Sequence, residues 1–230
     1  MACVAFDGDI GADPCDCLIV GLHDDWQGDP SVALVNQRTQ VNQRTQGLIQ
    51  SLIATEEAST KPMKLTNVLS PNGLNAKSLI LVGLGPRDTA PSYLWSRAAS
   101  AAMKSACTKS RTIVRLAGFV GSPIQMRGAV AGSLVGCVGQ DLFRKEKGLY
   151  EPAFIQWCNV ESSVLEQGVS LGNAINLTRR LVNLPPNYMY PESLASEALP
   201  ISIGANMSRL LASAFCTRAS SSGISKGLSR

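Results

Sequence analysis

Few residues in this chain have the type and spacing that chemistry requires. His23 is the single histidine of 230 residues, and it precedes Asp24 and Asp25. An imidazole beside two carboxylates offers the donor types a divalent cation takes, but with no second histidine or spaced carboxylate the reading as a structural histidine outweighs that of a ligand. Cys15 and Cys17 flank Asp16, yet a lone Cys-x-Cys lacks the partner pair that makes a zinc site specific. Gly83-Leu84-Gly85 follows an apolar run. It suits a phosphate-cradling loop or a tight strand-to-helix turn, and Pro86, Arg87 and Asp88 stand where a dinucleotide fingerprint needs its third glycine. Arg179 and Arg180 near the end of a long helical pattern can bind an anion or simply offset the helix dipole.

Composition narrows the chemistry further. One histidine excludes a His-Glu-x-x-His metal site and leaves little room for a Ser-His or Cys-His dyad. The seven cysteines are odd in number and scattered, which argues for reduced, buried thiols. The net charge is +4, from 21 basic and 17 acidic residues. No acidic residue follows Glu197, whereas Arg209, Arg218, Lys226 and Arg230 do, so residues 1–197 are neutral and the excess lies in the tail. A neutral body gives no support to nucleic-acid binding. No apolar run is long enough for a bilayer, and the N-terminus lacks a signal-peptide pattern, so the expected location is cytoplasmic with no membrane partner.

The elements that must position these residues alternate between short apolar runs and helical periodicity. Strands are expected at 16–23, 64–69, 78–85, 111–117 and 153–158. Helices are expected at 41–54, at 88–109 with Asp88 and Thr89 as caps and Pro91 in the first turn, at 128–143, and at 161–182. The glycines of the third of these helices suit close packing. Val164, Leu171, Ile175 and Val182 share one face of the fourth, with an apolar flank beside them. Asn183-Leu184-Pro185-Pro186-Asn187 stops that helix, and Pro191-Glu192 opens another reaching about Leu199. This rhythm argues for an α/β layered domain. Val35–Gln40 is repeated verbatim as Val41–Gln46, a single duplication and not a repeat architecture. Residues 201–230 hold eight serines and no acid, and low order is expected there.

The Asn183-Leu184-Pro185-Pro186-Asn187 turn, with Pro191-Glu192-Ser193-Leu194-Ala195 behind it and the Asn176–Val182 helix before it, resembles the leucyl aminopeptidase (cytosol aminopeptidase) family. Leu79–Gly85 resembles that family's Val-Leu-Leu-Val-Gly-Leu-Gly strand. Gly132–Lys147 resembles its glycine-containing helix, with Phe143-Arg144-Lys145 diverging from the family's Phe-Asp-x-Tyr-Lys pattern, and Arg180 stands where the family usually has Asp. The resemblance covers residues 12–199.

It implies a mixed sheet flanked by helices, similar to macro domains, over 1–160, followed by a long linker helix at 161–182. It further implies the start of a truncated catalytic domain at 183–199 and a poorly ordered Ser-rich basic tail at 200–230. The family is a metallopeptidase, usually hexameric, in which two divalent cations (zinc or manganese) activate water to remove N-terminal amino acids from peptides. Its Lys-Gly-x-x-Phe-Asp-Ser-Gly-Gly and Asn-Thr-Asp-Ala-Glu-Gly-Arg motifs have no counterpart in these 230 residues; Ser222-Gly223-Ile224-Ser225-Lys226 only echoes the first. No catalytic, cofactor-binding or metal residue is therefore assigned, and the expectation is a truncated or frame-shifted member that binds no metal and is inactive alone. The alternatives are a stand-alone macro-like ligand-binding module, with Gly83–Gly85 and Gly118–Gly121 as its loops, and a non-catalytic partner of full-length aminopeptidase subunits.

Overall fold

The protein is described by a computed structural model that covers residues 1–24, 35–139, 145–185, 187–190, 192–194 and 196–197, with backbone alone for 35–39. Among the described residues six strands form one mixed sheet: β1 (Ala2–Phe6), β2 (Cys17–His23), β3 (Leu65–Leu69), β4 (Ser78–Gly85), β5 (Ile113–Ala117) and β6 (Phe154–Cys158), in the spatial order β1-β6-β5-β2-β4-β3. Every pairing is parallel except β3 with β4. The helices are α1 (Val35–Arg44), α2 (Leu48–Ala54), α3 (Ser92–Ala106), α4 (Pro123–Cys137) and α5 (Ser162–Asn183). The chain separates into two compact units, Met1–Thr178 and Arg179–Arg230.

Within the first unit the central strands are buried on both faces, which is why they read as unbroken apolar runs rather than as alternation. Cys17 and Ile19 of β2, Ile80, Val82 and Leu84 of β4, and Val114 and Leu116 of β5 point to one core with α3, α4 and the start of α5. Leu18, Val20, Leu22, Leu79, Leu81 and Ala117 point to the other, with Val41 of α1 and Ile49 of α2.

Glycines set the spacing on the three-helix side. Gly128, Gly132 and Gly136 of α4 face the backbone oxygens of Ser92, Ser96 and Ser100 of α3, so the two helices run in the same direction four residues in step. Gly168 and Gly172 of α5 face the Arg127 and Ala131 carbonyls on the other side of α4. The close packing expected of the α4 glycines is therefore present, and α4 is apolar nearly all round because it lies between two helices.

Several boundaries differ from the sequence reading. The single helix expected at 41–54 is two helices, because Gln46 (φ 55°) and Gly47 (φ 82°) turn the chain left-handed between them. The duplicated hexamers lie in α1 and this break; Val41 is buried, and Thr45 Oγ1 donates to its carbonyl at 2.7 Å. Helix α3 starts at Ser92 with Pro91 as N-cap and no side-chain cap, so Asp88 and Thr89 do not cap it. Helix α4 is Pro123–Cys137 rather than 128–143: it starts five residues earlier than expected and stops at Cys137, where Val138 turns extended (ψ 113°); residues 140–143 lie outside the described residues. Strand β1, on the sheet edge, was not anticipated.

In the second unit, Tyr188 N and Met189 N donate to the Pro185 carbonyl at 2.9 and 3.1 Å, closing the turn after α5. Tyr190 N donates to Ser193 Oγ at 2.9 Å, and residues 192–194 and 196–197 are helical. Pro191, Ala195 and the 198–230 segment, with its expected low order, lie outside the described residues.

Candidate functional site at the carboxyl ends of the strands

In an open parallel sheet, ligands enter the crevice outside the carboxyl ends of the strands, where the strand order reverses. Here the chain passes from β2 outward to β4 and then back across β2 to β5. His23, Gly85 and Gly118 therefore mark the candidate crevice. Among the described residues, buried side chains line it. His23 is fully buried; its Nδ1 lies 3.3 Å from the Gly85 carbonyl and its ring 4.9 Å from that of Trp95. Trp95 meets Phe119 at 6.4 Å, and Phe119 meets Trp157 at 5.2 Å, both edge-on. These rings form one buried row in the core that α3 shares with the sheet.

The glycines that suit a phosphate cradle accept main chain instead. A side chain at Gly83 would stand 2.0 Å from the Lys61 carbonyl oxygen and 2.7 Å from that of Ser59. Gly85 N donates to the Thr60 carbonyl at 2.8 Å, Met63 N donates to the Gly83 carbonyl at 3.0 Å, and Gly83 N to the Lys64 carbonyl at 2.9 Å. Gly85 has φ 73° and Gly118 φ 72°, values that permit the turns leaving β4 and β5. At Gly121 a Cβ would meet the Trp95 ring at 2.6 Å.

Gln125 ties the surrounding loops together, a role sequence reasoning missed although Ser122-Pro123-Ile124-Gln125 carries the signal. Ser122 and Gln125 form a capping box with Pro123 in the first turn. The buried Gln125 side chain donates from Nε2 to the Arg87 and Ala90 carbonyls, at 2.9 and 2.7 Å, and accepts from Ser122 N at 2.8 Å. The loops after β4 and β5 are thereby locked to each other.

The other candidates disperse. Cys15 belongs to one core and Cys17 to the other, so the Cys-x-Cys pair does not converge. Burial pushes the Cys15 thiol up to about 11 and those of Cys3 and Cys158 to about 12, the behaviour of inert structural thiols. Asp16 between them accepts from Lys77 Nζ and Thr112 N, both at 2.6 Å, and from Ile113 N at 3.1 Å. The Lys77 hydrogen bond, followed by those two amides, holds the Asp16 carboxyl below the usual carboxylate range against the opposing effect of burial.

Arg180 pairs with Glu197. Arg115, which sequence analysis did not single out, is 1% exposed. It donates to Gln156 Oε1 at 2.9 Å and to the Ile10 and Asp13 carbonyls at 3.3 and 2.9 Å, and lies 3.7 Å over the Phe6 ring. Among the described residues no three His, Cys, Asp or Glu side chains come together to hold a metal ion, and no helix is long and apolar enough to cross a membrane. An open groove of ≈ 710 Å³ between α4 and α5 is lined by Arg127, Ser163, Glu166, Gln167, Ser170 and Leu171.

Comparison with known proteins agrees with this architecture. Residues 19–147 match the model of the cytosol aminopeptidase family, N-terminal domain. A probable cytosol aminopeptidase of Rhodopirellula baltica is 30% identical over 151 residues, which is 65% of this chain and 30% of that protein. Its counterpart in Streptomyces griseus is 29% identical over 209 residues, covering 80% and 39%. A tomato leucine aminopeptidase mutant shares the fold with a TM-score of 0.68 at 22% identity, over 89% of this chain and 42% of the other. The bottromycin maturation enzyme BotP does so at 0.58 and 21%, over 84% and 38%. The matched region is thus well under half of each of these proteins. The domain matched over most of the sheet and its helices, and the agreement of relatives and fold, place this chain in the cytosol aminopeptidase family, of which it carries the N-terminal domain.

Proposed function

We propose that this chain supplies the non-catalytic α/β domain of a cytosol-aminopeptidase-type protein, acting on peptides only together with a catalytic domain, and that by itself it cleaves no peptide bond. In this reading residues 1–160 are the N-terminal domain, 161–182 the linker helix, 183–199 the opening of the catalytic domain and 200–230 a tail. Cytoplasmic location and assembly into an oligomer belong to the same reading.

The observation that carries it is the dispersal of the metal-binding side chains. A two-cation site needs several carboxylates converging on one point. Here Asp9 is held by Arg44 and by two main-chain amides, Asp16 by Lys77 and two others, and no described trio of ligands meets. The described residues do not fit the family's metal pair, and no step of peptide hydrolysis is routed through them. The Ser59–Lys61 main chain packed beside Gly83 supports a scaffold over a nucleotide-binding module, since it takes the place a phosphate would need.

The test is hydrolysis of a leucyl amide by the purified full chain with added manganese or zinc, alongside a calorimetric titration with ADP-ribose. Neither turnover nor binding heat is expected. Chelator-sensitive release of leucine would overturn the reading, and saturable ADP-ribose heat would favour the ligand module.

A further inference from the structure

The turn joining β3 to β4 combines a reactive dipeptide with a structural junction. Of the chain's eleven asparagines, only Asn72 is followed by glycine. Pro71 is buried and anchors the turn, whereas Asn72 and Gly73 are exposed. Leu74 N reaches back to the Pro71 carbonyl at 3.5 Å, and Gly73 has φ 82°, so the pair occupies the two central turn positions. A glycine at 73 places no Cβ next to the main-chain nitrogen that must approach the Asn72 side-chain carbon. The other described asparagines lack this freedom. Asn67 and Asn159 precede valines, Asn176 and Asn183 precede leucines, and Asn75 Nδ2 donates to the Ala12 carbonyl at 3.1 Å.

Three segments meet at this turn. A Cβ at Gly73 would stand 1.8 Å from the Arg44 carbonyl oxygen, so the turn lies directly on the end of α1. Arg44 Nη2 contacts Asp9 Oδ2 at 2.6 Å, and its side chain would also crowd a Cβ at Gly11. Asn75 N donates to the Gly11 carbonyl at 2.9 Å. Any lengthening of the main chain at position 72 therefore shifts Gly73 against α1 and the 9–13 loop together.

We propose that Asn72 is a site of spontaneous covalent modification, converting to isoaspartate through a cyclic imide and so releasing the β3–β4 turn from the end of α1. In the first step the Gly73 amide nitrogen bonds to Asn72 Cγ, the Cγ–NH2 bond breaks, and ammonia leaves with the amide proton. Water then opens the five-membered imide at either carbonyl. One opening gives aspartate and the other isoaspartate, in which the main chain runs through the former side chain and gains a methylene. The only co-reactant is water, and the modified residue gains one negative charge.

Incubation of the full native chain at mildly alkaline pH, followed by peptide mapping and enzymatic isoaspartate methylation, tests this. Conversion is expected first in the peptide containing Asn72, with an acidic shift of one charge, and the isoaspartate signal is lost in Asn72→Gln. The modified protein is expected to melt below the fresh protein and below Asn72→Asp, which carries the charge without the added methylene. Conversion at other asparagines first, or an isoaspartate signal unchanged in Asn72→Gln, would overturn the site. Equal melting of Asn72→Asp and the modified protein would overturn the release from α1.

Discussion

Replacing Gly132 by alanine tests whether the α3–α4 contact is as close as the glycine ladder implies. Two effects oppose each other. In a helix interior, alanine is favoured over glycine by about 1 kcal/mol. The new methyl, however, would be built 2.1 Å from the Ser96 carbonyl oxygen and 2.7 and 2.8 Å from its carbonyl carbon and Cα. These are main-chain atoms of a packed helix and cannot swing aside, so α3 and α4 must separate by roughly 1 Å, losing dispersion contacts along their length. Overpacking of this kind costs about 1–3 kcal/mol and more when the backbone must move. With main-chain atoms on the receiving side the cost lies at the upper end, about 2–3 kcal/mol, and after the helix gain the net destabilisation is about 1–2 kcal/mol.

The same arithmetic ranks the neighbours. Gly136→Ala, at 2.3 Å from the Ser100 oxygen, should behave like Gly132→Ala, while Gly128→Ala, at 2.9 Å from the Ser92 oxygen, should be nearly neutral. Urea denaturation followed by fluorescence of the buried Trp95 and Trp157 reads this directly. With a slope of about 2 kcal/mol per molar urea, the midpoint of Gly132→Ala should fall by roughly 0.5–1 M at unchanged slope. Because the clash is with main chain, Ser96→Gly should not restore it. A Gly132→Ala protein at least as stable as the parent, or rescue by Ser96→Gly, would refute the reasoning.

Asp16→Ala should cost about 2 kcal/mol, since it strips a carboxylate from Lys77 Nζ and two main-chain amides. The folded carboxyl is held below its ordinary range, so its stabilisation is full above that range and is lost as pH falls through the folded value. Acid titration of stability should therefore be shallower in the variant than in the parent. Arg115→Met should cost at least about 2 kcal/mol, because the Ile10 and Asp13 carbonyls lose their buried donor. Arg115→Lys should not recover this, as an ammonium lacks the planar fork that serves those carbonyls and Gln156 while stacking on Phe6, and limited proteolysis of the 7–13 loop is the readout. Gly83→Ala should loosen the 59–64 segment, seen as faster amide hydrogen exchange at Met63 and Gly85; unchanged exchange would contradict the main-chain contact with Lys61.

The sheet was legible where burial on both faces left continuous apolar runs, as in Cys17–Leu22 and Leu79–Leu84. It was illegible at β1, where Ala2–Phe6 is short, edge-placed and largely exposed, so that no face pattern separates it from loop. Helix limits failed where geometry overrode propensity. Asp88 and Thr89 are good caps by type, but the Gln125 side chain holds the Arg87 and Ala90 carbonyls and the helix waits until Ser92. Conversely, the start of α4 is written in Ser122-Pro123-Ile124-Gln125, a capping box that precedes the glycine-rich stretch.

The crevice shows why a glycine pair after a strand carries so little functional information on its own. A glycine tells that something approaches the backbone closely, and nothing in the dipeptide says whether that is a phosphate or another stretch of chain. The 59–64 segment, apart in sequence and without any motif, decides the matter through the Lys61 and Ser59 carbonyls. Arg115 illustrates the same limit from the other side. As a charged residue in the middle of a strand it weakens the strand signal, yet it is buried because carbonyls of the 10–13 loop and the Phe6 ring converge on it from outside the strand. Family membership, in contrast, was legible from short motifs, the Asn183–Asn187 segment together with the Leu79–Gly85 run of β4 and the glycines of α4. Two of these, Leu79–Gly85 and the α4 glycines, also pack the fold, so residues that carry the resemblance are themselves tested by the substitutions at Gly83 and Gly132.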